Sequence, residues 1–302
     1  MRENDVIAGN YKIIKEIGRG GTGTVFLGYH LHLQKYVVLK EMPVTMGDER
    51  LIRTEADILK NLHHEYLPQV YDFLLTDTGV ITVLDYVEGN DLSSYMCGPQ
   101  NLSEEQLLTW LTQMAEVLSY LHGNDPQVVH SDIKPGNVIV RPNGDICLID
   151  FNISLLADQL TRVIGFSAQF ASPEQYYLAQ KVSQGDTPQF ALDPSTDIYS
   201  TGALLYYLMT GIYPTCVMPN TPLSEMGDTG YSSSLVNIVD KCLQWDRSKR
   251  YRDGSELLDA VTHCRKQSDS YKRKLTAGLV LLLLAAVLIG AGAYGFTRRR
   301  EN

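Results

Sequence analysis

Over the first 85 residues, apolar and polar positions alternate. Beyond that, apolar residues recur mostly at helical spacing. Tyr11-Lys12-Ile13-Ile14-Lys15-Glu16-Ile17 alternates roughly, Val25-Phe26-Leu27-Gly28 resumes a strand after a glycine-rich turn, and Tyr36-Val37-Val38-Leu39-Lys40 is a third strand. Residues 48–62 change period, with Leu51, Ile52, Ala56, Ile58, Leu59 and Leu62 on one helical face. Strands return at Gln69–Leu75 and Gly79–Leu84, joined by the turn Thr76-Asp77-Thr78-Gly79. Ser103-Glu104-Glu105-Gln106 carries a capping signature and opens a helix over 104–122, whose stripe is Leu107, Leu108, Leu111, Met114, Val117, Leu118 and Leu121. The apolar runs Val138-Ile139-Val140 and Ile146-Cys147-Leu148-Ile149 flank Asn143-Gly144, a hairpin signal. Residues 181–196, rich in Gln, Ser, Pro and Asp, read as a loop. An apolar helix then runs from Asp197 to the stop signals Gly211 and Pro214, and residues 252–264 form a last helix.

One stretch fits neither pattern. Leu275 to Phe296 is 22 residues without a charge, about 33 Å as a helix and enough to cross a hydrocarbon core of ~30 Å. Lys272-Arg273-Lys274 precede it and Arg298-Arg299-Arg300 follow it, so flanking charge does not set its orientation. Ala286/Gly290 and Ala291/Gly295 have the small-residue spacing that lets two such helices pack as a homodimer. The net charge of −9 is divided unevenly. Residues 265–302 hold eight of the 26 Lys and Arg but two of the 35 Asp and Glu, a net +6 that leaves −15 on residues 1–264. An acidic body argues against nucleic acid as a partner, since phosphate backbones need clustered Lys and Arg. The basic linker 265–274 suits anionic headgroups. Five scattered cysteines without C-x-x-C spacing argue against a structural metal or a disulfide framework and fit a reducing compartment. The N-terminus leads into no apolar run of signal-peptide type.

The candidate chemistry lies between the long helix and the first apolar run. His130-Ser131-Asp132-Ile133-Lys134-Pro135-Gly136-Asn137 places an Asp, a Lys and an Asn within six residues. Phosphoryl transfer from ATP needs these types together: a carboxylate to orient a hydroxyl and accept its proton, an ammonium to neutralise the moving phosphoryl group, and an amide oxygen for a metal ion. This stretch resembles the catalytic loop of protein kinases, H-R-D-x-K-x-x-N, with Ser131 where Arg is usual. Further motifs of that family follow in its order. Gly18-Arg19-Gly20-Gly21-Thr22-Gly23-Thr24-Val25 fits G-x-G-x-x-G-x-V and continues into a strand, not a helix. Lys40 ends a strand as in V-A-I-K, and Glu55 occupies the αC position, with Glu49 and Asp57 as rivals. Leu84-Asp85-Tyr86-Val87 resembles the hinge, Asp150-Phe151-Asn152 resembles D-F-G with Asn for Gly, and Ser172-Pro173-Glu174 resembles A-P-E, followed by Gln175-Tyr176. Asp197-Ile198-Tyr199-Ser200-Thr201-Gly202 and Arg250 match the large-lobe elements, Arg250 as the partner of Glu174.

The resemblance, to bacterial-type serine/threonine protein kinases, covers residues 10–264. It implies an α+β bilobal fold: an N-lobe (10–86) with a five-stranded sheet and one αC helix, and a helical C-lobe (87–264), followed by linker, span and a short tail, 297–302. By the same resemblance Ile17, Gly18, Gly20, Gly21, Gly23, Val25, Val38, Lys40, Leu84, Asp85, Val87 and Ile139 hold ATP, with Leu84 as gatekeeper. Lys40 is fixed by Glu55, Asn137 and Asp150 bind Mg²⁺, Asp132 is the base and Lys134 steadies the transferring group. His122 and His130 are expected to be structural. The implied partner is a protein with a Ser or Thr acceptor. A domain using ATP belongs in the cytosol, which makes the chain single-pass in the cell membrane with its C-terminus outside. Two other readings are carried: a membrane-tethered pseudokinase that binds nucleotide or a partner without turnover, and a small-molecule phosphotransferase. Ser131 replaces the Arg that would grip a phosphate beside Asp132, so phosphate-driven ordering of the 153–170 segment should be weaker and activity without its obligatory phosphorylation is expected. Among its candidate sites, Ser154, Thr161 and Ser167, the variants Thr161→Ala and Ser167→Ala, single and combined, should retain kinase activity; total loss would refute this.

Overall fold

In a computed structural model of the chain, the described residues are 1–20, 23–43, 58–76, 79–150, 168–186 and 191–267. Gly21, Glu49, Glu55, Asp57, Phe151, Asn152, Ser154, Thr161, Ser167 and the 275–296 segment lie outside them. Among the described residues no helix is long and apolar enough to cross a membrane.

The first lobe is an antiparallel sheet in the order β1-β2-β3-β4-β6-β5. Its strands are β1 (Val6–Ile7), β2 (Tyr11–Gly20), β3 (Gly23–His30), β4 (Lys35–Pro43), β5 (Val70–Thr76) and β6 (Gly79–Asp85). The expected five strands are therefore six. The extra strand is two residues long. It forms because the N-terminal turn folds back, Asn4 N–H donating to the Ile13 carbonyl and Ile13 N–H to that of Asp5, both at 2.9 Å. Period-2 alternation sorts the side chains of β4. Val37 and Leu39 are fully buried among Tyr11, Ile13, Phe26, Ile81 and Val83. Val38, Lys40 and Met42 face the other way, into the cleft between the lobes. Of the helix expected over 48–62, the described part is its last turn, 58–60.

The second lobe is built on helices α1 (Glu104–His122), α2 (Pro173–Ser183), α3 (Ser195–Thr210), α4 (Ser233–Cys242) and α5 (254–267). A small sheet, β7 (Asn90–Asp91), β8 (Val138–Val140) and β9 (Ile146–Leu148), faces the cleft. Helix α1 spans the expected residues. Ser103 accepts from Gln106 N–H at 3.2 Å as N-cap, and every predicted stripe residue is buried. Helix α3 is buried on nearly all sides, the polar residues of its first two turns included. Two expectations are corrected. Residues 181–196 are not one loop: α2 continues to Ser183 and α3 begins at Ser195, two residues before Asp197. Asp193 sets the latter start by accepting from Ser195 N–H at 2.9 Å.

Candidate active site

The β8–β9 hairpin and the turn before it bring the reactive residues together. Asn137 Nδ2 donates to the Asp132 carbonyl at 2.8 Å and to its Oδ2 at 2.9 Å. Lys134 Nζ reaches the same Oδ2 at 2.7 Å. The Asn137 carbonyl accepts from Ile149 N–H at 2.8 Å, and the Ile149 carbonyl accepts from His130 Nε2 at 3.2 Å. The residue after Ile149 is Asp150, so these two bonds carry Asp150 to the same part of the cleft as Asn137. Asp150 is ion-paired with Lys40 across the cleft.

Two non-glycine residues here sit in the left-handed region, Ser131 (φ +61°) and Asp150 (φ +63°). Each costs roughly 1–3 kcal/mol, a strain that persists only where the surroundings over-determine it. At Ser131 they do. The fully buried Asp197 carboxylate accepts from His130 N–H and Ser131 N–H, both at 2.8 Å, and from His122 Nε2 at 3.0 Å. Nδ1 of His122 accepts from Gly254 N–H at 2.9 Å, which fixes the proton on Nε2. His122 and His130 are thus both structural, as the sequence suggested.

Burial sets the electrostatics. It pushes the Asp132 carboxyl above its ordinary value, opposed by the hydrogen bonds from Lys134 and Asn137. It holds the His130 imidazole down. For Asp197, burial works toward protonation, yet the bonds from His122 and the His130 backbone outweigh it and the carboxyl lies below its usual range. Were Asp132 the base of a proton transfer, the rate would rise with pH through its transition, because a base must be ionised to act. Lys134→Met removes a group that opposes the upward shift. The acid limb of kcat/KM should therefore move to higher pH in the variant, which a pH–rate profile reads; an unmoved limb would separate Lys134 from Asp132.

Above these groups lies a cavity of about 280 Å³. Ile17, Val25, Val38, Lys40, Leu84, Asp85, Val87, Ile139, Asn137 and Asp150 line it. Gly18, Gly20 and Gly23 do not line it; they stand on the β2–β3 hairpin, where Gly18 pairs with Val25 and Gly20 with Gly23. A Cβ on Gly23 would come within 2.1 Å of the Glu41 carbonyl, so that glycine serves the packing of β3 on β4. A Cβ on Gly20 would meet nothing within 4 Å. The fold itself does not demand glycine there, which leaves open room beside the hairpin backbone. Met42, Phe73 and Thr82 also line the cavity. They were missed, although alternation from Val38 and Leu84 would have found Met42 and Thr82. The Asp85 carboxylate is occupied elsewhere, by Lys35 at 2.9 Å and Tyr71 at 2.5 Å, and its backbone N–H donates to the Gln69 carbonyl at 2.9 Å.

The donor set fits a hard cation carried in with phosphates. Both Nδ2 bonds of Asn137 go to Asp132, so its amide oxygen is the atom left for a metal, and Asp150 lines the same cavity. No cluster of three or more His, Cys, Asp or Glu among the described residues could hold a metal alone. Mg²⁺ suits such a site, since it takes one or two protein oxygens and completes its shell with phosphate and water.

A second group of side chains docks α2 onto the large lobe. Arg250 forms a two-pronged pair with Glu174, Nη1 to Oε1 at 2.7 Å and Nη2 to Oε2 at 3.0 Å, as expected. Its guanidinium also donates to the carbonyls of Gln244, Ser195 and Trp245 and lies 4.8 Å from the Tyr199 ring centroid.

A two-lobed fold with this loop at its cleft is a phosphotransferase architecture, and comparison with known proteins says which. Residues 11–263 match the protein kinase domain, and the chain belongs to that family. It is 33% identical to the serine/threonine-protein kinase pkn3 of Myxococcus xanthus over 89% of this chain and 53% of that protein. It is 28% identical to the serine/threonine-protein kinase PrkC of Bacillus subtilis, over 83% of this chain and 40% of that protein. The chain thus spans about half of these curated relatives' length. The fold is also that of the Mycobacterium tuberculosis PknI kinase domain, solved as a point mutant, with TM-score 0.66 and 21% identity over 87% of this chain and 98% of that one.

Proposed function

We propose that the chain is an ATP-dependent serine/threonine protein kinase held at a membrane by residues 275–296, with the catalytic domain in the cytosol and the C-terminus outside. The observation that carries this reading is the convergence of Asp132, Lys134, Asn137 and Asp150 below the cavity that Lys40 enters. Adenine would lie between Val25, Val38, Leu84 and Ile139, its edge bonded by the backbone of Asp85 and Val87. The Gly18–Val25 hairpin would cover the phosphates. Lys40 would leave Asp150 for the α- and β-phosphates, with Glu55 as its brace. Asn137 and Asp150 would hold Mg²⁺, which when bound neutralises phosphate charge. In the transfer the acceptor hydroxyl oxygen bonds the γ-phosphorus, the bond to the ADP oxygen breaks, and the hydroxyl proton goes to Asp132. Lys134, beside that carboxylate, steadies the transferring group.

Serine and threonine are favoured over tyrosine because Lys134 stands two residues after Asp132, and because the relatives above are named serine/threonine-protein kinases. A binding module without turnover has no need of the Asp132–Lys134–Asn137 set, and all three are retained. The segment from 275 to 296 supports the membrane anchor by length and lack of charge, and its small-residue spacing supports pairing of two copies. Hydrolysis of a labelled acceptor protein into phosphoamino acids tests the first part: phosphoserine and phosphothreonine are expected, and label on tyrosine or on a metabolite would contradict it. Fractionation of cells expressing the chain with and without residues 275–302 tests the second. Recovery of the intact chain from the soluble fraction would contradict the anchor.

A further inference from the structure

The residue before Asp132 is held from two sides. Ser131 N–H donates to Asp197 on α3, and the Ser131 carbonyl accepts from Gln175 Nε2 on α2 at 2.5 Å. A carbonyl can only accept, so the amide of Gln175 has one orientation: Nε2 toward Ser131 and Oε1 away from it. Oε1 is buried and has no hydrogen-bond partner among the described residues, while Gln175 itself is 3% exposed. A buried half-satisfied amide is costly, and a leucine would fill similar space without that cost. Docking of α2 does not explain it either, because Glu174 and Arg250 already fasten the helix to the large lobe. What Gln175 adds is a direct tie between that helix and the strained turn carrying Asp132. The tie is made between neutral groups and involves no phosphate.

We infer that Gln175 is a positioning residue for phosphoryl transfer: by holding the Ser131 carbonyl it fixes the peptide that aims Asp132, and it does so without phosphorylation of the 153–170 segment. The inference rests on the kinase reading above.

The test uses the full chain, wild type beside Gln175→Leu and Gln175→Glu. The first removes the donor and the second replaces it with an acceptor. Both should lower kcat about tenfold or more, the scale of a misaimed catalytic group, while the KM for ATP stays within about twofold. Hydrogen–deuterium exchange should rise in a peptide covering 128–134 and stay unchanged in α1. A kcat within about twofold of wild type, or a fall in kcat with unchanged exchange at 128–134, would overturn the inference. If Gln175→Leu fails to fold, the near-isosteric Gln175→Glu decides by the same readouts. If the wild type itself transfers no phosphate, the kinase reading fails, and the exchange comparison still decides whether Gln175 holds the turn.

Discussion

Asp132→Asn abolishes phosphoryl transfer without unfolding the protein or emptying its nucleotide cavity: that is the expected result of the substitution with the largest effect on activity. A positioned base contributes typically 10²- to 10⁴-fold, and kcat should fall by about that factor or more. Asparagine has the same shape and keeps an oxygen that can accept from Asn137, so the loop geometry survives. What disappears is the charge. Asp132 is 6% exposed and its carboxyl is already pushed up by burial, so neutralising it removes a desolvation penalty. Lys134 loses its partner but is more exposed than Asp132 and keeps access to water. Thermal stability should therefore hold or rise slightly, and stabilisation by ATP should persist. A calorimetric Tm beside a single-turnover rate checks both halves. A large fall in Tm would mean that Asp132 acts through structure.

Arg250→Met should have the largest effect on stability. Arg250 is 4% exposed, and removing it leaves the Glu174 carboxylate buried with Thr196 Oγ1 as a remaining neutral donor at 3.1 Å. Breaking a buried pair in this way costs about 3–5 kcal/mol, roughly 10 °C in Tm for a domain of this size. The pH dependence follows with a definite sign. In the wild type, burial works to raise the Glu174 carboxyl, but the hydrogen bonds and charge of Arg250 prevail and hold it below the ordinary value. A lowered folded-state value gives stability that is present above the unfolded-state value and lost as pH falls through the folded one. Without Arg250, burial is unopposed by that charge and the folded value moves up. The penalty is then relieved when Glu174 protonates. The Tm gap between variant and wild type should be widest near neutral pH and narrow on acidification through the carboxylate range. A constant gap would show that the loss is one of packing on Tyr199, not of charge.

The site was more legible than the scaffold that aims it. Asp132, Lys134 and Asn137 lie within six residues, so their meeting is a local matter, and Lys40 was placed by its resemblance to V-A-I-K, although β4 runs on past it to Pro43. Helix α1 was read to the residue because a serine cap and an unbroken apolar stripe mark it. Helices α2 and α4 went unread for different reasons. The first is polar and weakly patterned, its signal confined to the cap Ser172 and Pro173. The second has a clear stripe in Leu235, Val236, Ile238, Val239 and Cys242 behind the cap Ser232, and that signal was available. The ties through Gln175 and Gly254 that help hold the strained turn could not be read from the sequence. Gln175 is 44 residues from Ser131 and Gly254 is 132 from His122, and no periodicity reports a contact over such separations. Resemblance supplied Asp197 as a large-lobe element and the Arg250–Glu174 pair, but the Gln175 bond and the His122–Gly254 bond come only from the fold.

The most direct test of the central claim is transfer of label from γ-labelled ATP with Mg²⁺ to a generic protein acceptor by the full chain in membranes, wild type beside Asp132→Asn. Incorporation by the wild type on serine or threonine, lost in the variant while both proteins still bind ATP, is the predicted result. Equal incorporation by both, or none by either despite ATP binding, would contradict the account.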